Sequence, residues 1–232
     1  PLFTRGVYDY YLYKNDKQII KKYIDAILTE YSFWQEKRQT PIGLNAYGTH
    51  GTEEEILQNY EWHHPRVKES GTTKEEKLLI GKNIMAIAES GFDFNVRFRT
   101  KESNISAHEF AHLDLNCFLY DAEVKIAEML AVIGRENKAQ TFYIKAEKRK
   151  ELINRYFFDR ENGIYLDYNF VSSSFSAVLS VVSLMPFAFK ISDDKDSALK
   201  VLKRLELPFG ISAAEYRGDD IYLQWDYPVF WP

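Results

Sequence analysis

One cysteine, Cys117, in 232 residues leaves no internal disulfide framework, so packing alone must hold the chain. No apolar run reaches the length of a bilayer span; the most apolar stretch, Ser174 to Phe189, is short and broken by Pro186. Basic residues are not in excess: the net charge is −4 and the pI about 5.8, which gives no reason to expect nucleic acid as a partner. No repeat of roughly 20–50 residues recurs, which argues against a solenoid. The chain starts at Pro1 with neither a methionine nor a signal-peptide pattern, so the compartment stays open.

What remains is ordinary globular material. Hydrophobic residues make up 45% and charged residues 28%, enough for a substantial core in one domain over residues 1–232. Aromatics are plentiful, with 16 Tyr, 16 Phe and 4 Trp, and such rings fill cores or make flat walls on which sugars stack.

Apolar spacing predicts an all-α chain of helical hairpins. Phe3, Val7, Tyr10 and Tyr11 fall at helical spacing, and Asp16 caps a longer helix in which Ile19, Ile20, Tyr23, Ile24, Ile27, Leu28 and Tyr31 recur with a period near 3.6. Thr40 to Thr73 reads as a long loop rich in Gly, Pro and His. Thr73 with Glu76 makes a capping box for a helix to Ala88. Helices follow over Asp114 to Ile133, ended by Gly134, and over Asn137 to Phe158. A strand-like run, Ile164 to Tyr168, precedes one more helical hairpin, Ser174 to Phe189 and a second helix capped by Asp193.

Two motifs carry chemistry. His108-Glu109-Phe110-Ala111-His112 satisfies the zinc-peptidase pattern HExxH, in which two histidines one helical turn apart bind the metal. A third ligand is required. The extended pattern fails, with Leu115 and Phe118 where a glycine and a histidine should stand, so His108 and His112 are expected to cap or pack, with no metal. The second motif is Glu89-Ser90-Gly91-Phe92-Asp93-Phe94-Asn95-Val96-Arg97. It sets one carboxylate between two aromatic rings, after a glycine that can turn tightly and approach a ligand. Flanking rings disfavour the ionised carboxyl and suit it to general acid catalysis. The same residues also allow a bland outcome, in which Asp93 caps a helix or pairs with Arg97 on the surface.

This second motif resembles the "ESGWDFSSRW" signature of the trehalases, which hydrolyse α,α-trehalose. Further stretches are similar to that family in the same order. Glu30-Tyr31-Ser32-Phe33-Trp34 resembles "EYxFW", and Pro65-Arg66-Val67-Lys68-Glu69-Ser70 resembles "PRPES" with one residue inserted. Leu113-Asp114-Leu115-Asn116 resembles "VDLN", Gly163 to Tyr168 "GxYxDY", and Gln224-Trp225-Asp226-Tyr227-Pro228 through Trp231-Pro232 "QWDYPNGWAP". Phe92 replaces a tryptophan, and Val229-Phe230 replace Asn-Gly.

The resemblance implies part of an (α/α)6 toroid. It implies an inverting glycosidase with Asp93 as the general acid and Arg66, Glu69, Gly91, Arg97 and Trp225 around the substrate, a small disaccharide. No cofactor, metal, membrane or nucleic acid is implied. The family's base, a glutamate downstream of "QWDYP", has no counterpart, so these 232 residues are expected to lack it. Alternatives are another (α/α)6 α-glucosidase, or a non-catalytic sugar-binding relative. The family has secreted, periplasmic and cytosolic members, and Asn104-Ile105-Ser106 is a glycosylation sequon only in a secreted setting.

Overall fold

A computed structural model describes residues 1–100, 104–208, 210–215 and 223–228. Its first two helices, α1 (Leu2–Lys14) and α2 (Lys17–Lys37), meet at Asn15, whose left-handed backbone (φ 53°) ends α1. Asp16 then accepts a 2.8 Å hydrogen bond from the Gln18 amide and starts α2. Ile20, Ile24 and Ile27 form the buried stripe of α2 and are fully inaccessible. At about 1.5–3 kcal/mol for each side chain buried, that stripe outweighs any helix propensity in fixing where α2 lies.

Between Thr40 and Thr73 the structure differs from the expected long loop. It contains α3 (Glu53–His63), begun by a capping box in which Thr52 and Glu55 bond reciprocally. The signal was present as Thr-x-x-Glu, but the flanking Gly, Pro and His residues obscured it. A second capping box, Thr73 with Glu76, opens α4 (Lys74–Ser90) as anticipated. The two helices touch closely at Gly81, where a Cβ would lie 2.6 Å from the Ile56 carbonyl oxygen.

The helices α5 (Leu113–Val132) and α6 (Glu136–Tyr156) pack along each other. Buried residues occur on every side of α5, from Leu113, Leu115 and Cys117 to Leu119, Ala122 and Ile126, so α5 is the central element. Ile84 and Ile87 of α4 and Val7 of α1 join the same core.

Ser174 to Phe189, expected as a helix, is not one: beyond a two-residue strand, Ser174–Phe175, it holds a 3-10 turn (Val181–Leu184) and a four-residue helix, α7 (Met185–Ala188). Ser176 Oγ accepts from the Val178 amide at 3.2 Å and donates to the Arg97 carbonyl at 3.1 Å, bonds that compete with a helical ladder at the start of this stretch. The last helix, α8 (Lys195–Leu205), is capped by Asp194 rather than Asp193, with bonds to the amides of Asp196 and Ser197.

Strands are short and antiparallel. Phe110–Ala111 (β1), Tyr168–Asn169 (β4) and Ser174–Phe175 (β5) form a three-stranded ribbon in the order β1-β4-β5. Phe158–Asp159 (β2) pairs with Ile164–Tyr165 (β3), and Glu206–Leu207 (β6) with Gly210–Ile211 (β7). Among the described residues no helix is long and apolar enough to cross a membrane.

Candidate active site

The site is built where α4 ends. Gly91 takes a left-handed conformation (φ 73°) and closes the helix through its amide to the Ala88 carbonyl, 3.2 Å. Ser90 accepts from the Phe92 amide and turns the chain outward. Asp93 follows, half-buried, and among the described residues its carboxylate accepts no hydrogen bond and makes no ion pair. It neither caps a helix nor pairs with Arg97. Phe94 next to it is buried and itself left-handed (φ 59°), a strained conformation for a bulky residue and one that needs support from its neighbours.

That support comes from two sides. On one side Asn95 accepts from the Arg97 amide and starts a 3-10 turn over Val96–Phe98, which sends Arg97 into the core. Arg97 is completely buried. Its Nε and Nη2 donate to Asp167 at 2.7 and 2.8 Å, and its Nη1 and Nη2 donate to Asp114 at 3.1 and 2.7 Å. The rings of Phe92 and Phe98 lie 4.8 and 4.7 Å from the guanidinium carbon. Burial would raise the Asp114 carboxyl, but the Arg97 charge more than offsets it and holds Asp114 below the usual carboxylate range. This arrangement corrects the expectation that Arg97 touches substrate. Its donors are taken up by two carboxylates, and a ligand has no access to it.

On the other side Asp226 reaches the same loop. It accepts from Asn95 Nδ2 at 2.6 Å, from the Val96 amide at 3.1 Å and from the Leu223 amide at 2.7 Å. The Trp225 amide meets the Phe94 carbonyl at 3.3 Å. The matched part of the second signature therefore lies against the first. Its end, Val229 to Pro232, lies outside the described residues.

The other expected contacts divide. Arg66 is exposed and its guanidinium sits 5.1 Å from the centre of the Phe94 ring, which brings it to the Asp93 turn. Glu69 turns away, accepting from the Ile105 amide and lying 3.9 Å from Arg99 Nη1. Burial pushes the Glu69 carboxyl up, against those two partners. Trp225 is half-buried beside Phe94.

HEFAH is not a helix. His108 lies in a 3-10 turn (Ala107–Glu109) and bonds through Nδ1 to Asn83 Oδ1 at 2.7 Å. His112 follows β1, fully buried between the rings of Tyr47 and Phe98, with Nδ1 accepting from the Tyr47 amide. The two imidazoles therefore never share a helix face. Burial pushes His112 down to about 4, which keeps it neutral.

A polar frame backs the site. Asn116 Oδ1 accepts from the Asn45 amide at 3.0 Å and from Arg149 at 2.8 Å, and Arg149 pairs with Glu123, which also accepts from Tyr31 Oη at 2.8 Å. Arg38, buried at the end of α2, pairs with Glu89 at 2.8 Å, and Glu89 accepts from the Gly48 amide. Asp114, Asn116 and Asp167 stand inside the sequence motifs, but the motifs alone assign them no such role. The available signal was a polar residue set within otherwise apolar runs, as in Ile164-Tyr165-Leu166-Asp167-Tyr168, where burial demands a partner.

The trehalase family profile matches residues 1–232. The chain belongs to the trehalase family. Among solved structures it is similar to the neutral trehalase of Saccharomyces cerevisiae, with a TM-score of 0.67, 22% identity, and coverage of 91% of this chain and 44% of that one. A sialidase matches with a TM-score of 0.61 and 14% identity over 87% of this chain and 15% of its own. An uncharacterised conserved protein from Thermus thermophilus matches with 0.54 and 14%, over 88% and 52%. The chain thus spans less than half the length of the yeast trehalase it matches. With these likenesses, the all-α arrangement of paired helices is part of an (α/α)6 toroid, as the trehalase resemblance implied.

Proposed function

We propose that the protein is an inverting glycosidase that hydrolyses α,α-trehalose, with residues 1–232 forming part of one catalytic domain. The observation that carries this is the state of Asp93. In a chain of the trehalase family, it is the carboxylate of the first signature, half-buried, without a partner among the described residues, on a loop braced from both sides. A carboxyl in that state is available to give a proton to an external oxygen. Asp93 protonates the glycosidic oxygen as its bond to the anomeric carbon breaks. Water adds to that carbon from the opposite face, and a second carboxylate takes the proton it sheds, leaving one glucose of inverted and one of retained configuration. Arg66, Gly91 and Trp225 surround the sugar. Neither metal nor redox cofactor has a part in this chemistry.

The base comes from outside the described residues. Asp226 is taken up by Asn95, Val96 and Leu223, Glu69 by Ile105, and Glu215 by Arg204 at 2.6 and 2.7 Å. The test is Asp93→Asn in the whole protein, read by glucose release from trehalose and by the anomer formed first. A loss of about 10²–10⁴-fold is expected. Activity within a few-fold of wild type would sink the assignment. Turnover of maltose-like substrates in place of trehalose would identify another α-glucosidase, and sugar binding without turnover a non-catalytic relative.

A further inference from the structure

Asp226 lies outside the chemistry just described, yet its carboxylate is the point where two remote stretches of chain meet. Both oxygens are used. One receives Asn95 Nδ2 at 2.6 Å; the other receives the Val96 amide at 3.1 Å and the Leu223 amide at 2.7 Å. Asn95 and Val96 follow Asp93 by two and three residues, and Leu223 precedes Trp225 by two. The Trp225 amide adds a fourth bond, to the carbonyl of the strained residue Phe94. We infer that Asp226 is a positioning residue that ties the acid-bearing loop to the loop carrying Trp225, so that the acid and the wall of the sugar site hold one spacing. The inference rests on the trehalase reading for its effect on turnover, while the tie itself does not.

The hydrogen-bond pattern explains why an aspartate is needed. Among the described residues, every group hydrogen-bonded to the carboxylate is an N–H donor, so only an acceptor at both oxygens satisfies them. An asparagine places its NH₂ against one of those donors and breaks the tie without changing the volume. Burial pushes the Asp226 carboxyl up to about 6, against the Leu223 and Val96 amides and the charges of Arg99 and Lys68. The fully accepting form is therefore present above about pH 6 and is replaced by the protonated one below it.

The experiment is Asp226→Asn in the whole protein, followed by two readouts. Amide hydrogen exchange is expected to quicken over 94–97 and 223–226 together, with the helices unchanged. Trehalose turnover is expected to fall by roughly 10²-fold in kcat, as for a displacement of about 1 Å at a catalytic group, with KM much less affected. The ionisation near 6 is expected to vanish from the pH dependence of exchange in the two segments. Exchange unchanged in either segment overturns the tie, whatever the activity. Faster exchange with wild-type kcat overturns the positioning role. If the wild-type protein does not turn over trehalose, the functional reading fails, and the exchange result still decides whether Asp226 couples the loops.

Discussion

Arg97→Met removes the cation at the base of the Asp93 loop and leaves two buried carboxylates facing each other. Four charge-assisted hydrogen bonds disappear. Removing one partner of a buried pair typically costs about 3–5 kcal/mol. Here two partners are stranded, and an upper bound follows from the escape open to each. An orphaned carboxyl takes a proton rather than stay charged in the core. Near pH 7 that costs about 1.4 kcal/mol for each of the roughly three units above an ordinary aspartate, or about 4 kcal/mol per group. The variant should therefore lose about 5–8 kcal/mol, against a total stability of about 5–15 for a typical domain. At about pH 5 the same escape costs only about 1.5 kcal/mol per group, so the deficit should shrink to roughly 3. The sign is distinctive. In the wild type Asp114 is held below its ordinary range, so its contribution is present above that range and lost only as the pH falls through its folded value. Acid thus narrows the gap between the two proteins. Urea unfolding of both at the two pH values measures it. A deficit below about 2 kcal/mol near pH 7, or one that fails to shrink in acid, would refute the reasoning.

Three further outcomes are expected. Residues 1–232 expressed alone should release no glucose from trehalose above the buffer rate; release abolished by Asp93→Asn would place a base among them. His112 is pushed down to about 4 by burial. Against an unfolded value of about 6.5, this group should remove up to about 3 kcal/mol of stability as the pH falls across that window, and His112→Gln should flatten the corresponding part of a stability–pH curve. Gly81→Ala would ordinarily stabilise a helix by about 1 kcal/mol. Here the new Cβ meets the Ile56 carbonyl oxygen at 2.6 Å and Ile56 Cγ2 at 2.7 Å, so a lowered Tm is expected.

The helices were legible wherever a periodic stripe coincided with a cap. Asp16 before α2 and Thr73-Glu76 before α4 are where the residues indicated, because side-chain caps are local chemistry. Ser174 to Phe189 misled because apolar content alone does not distinguish a helix from a buried irregular segment, and its serines favour turns. In the site, Asp93 was legible as a carboxylate between rings, but the role of Arg97 was not. Four residues separate them, and sequence spacing cannot say whether an arginine reaches a sugar or two aspartates that arrive from α5 and from the β3–β4 turn. The contribution of Asp226 was hidden for the same reason, since two of its partners, Asn95 and Val96, precede it by 131 and 130 residues.

The bracing of the Asp93 loop bears on the order in which the chain folds. The α3–α4 and α5–α6 contacts link neighbours in sequence and need only short closures. The loop's anchors do not: Arg97 reaches Asp114 across 17 residues, Asp167 across 70, and Val96 reaches Asp226 across 130. Closing long loops is entropically expensive and slow compared with forming local hairpins. The surroundings of Asp93 should therefore be assembled after the helices that frame them, and refolding followed by far-UV circular dichroism should run ahead of protection at amides 94–97. A molecule halted between those stages has nearly all its helix but an Asp93 loop that nothing yet holds in place.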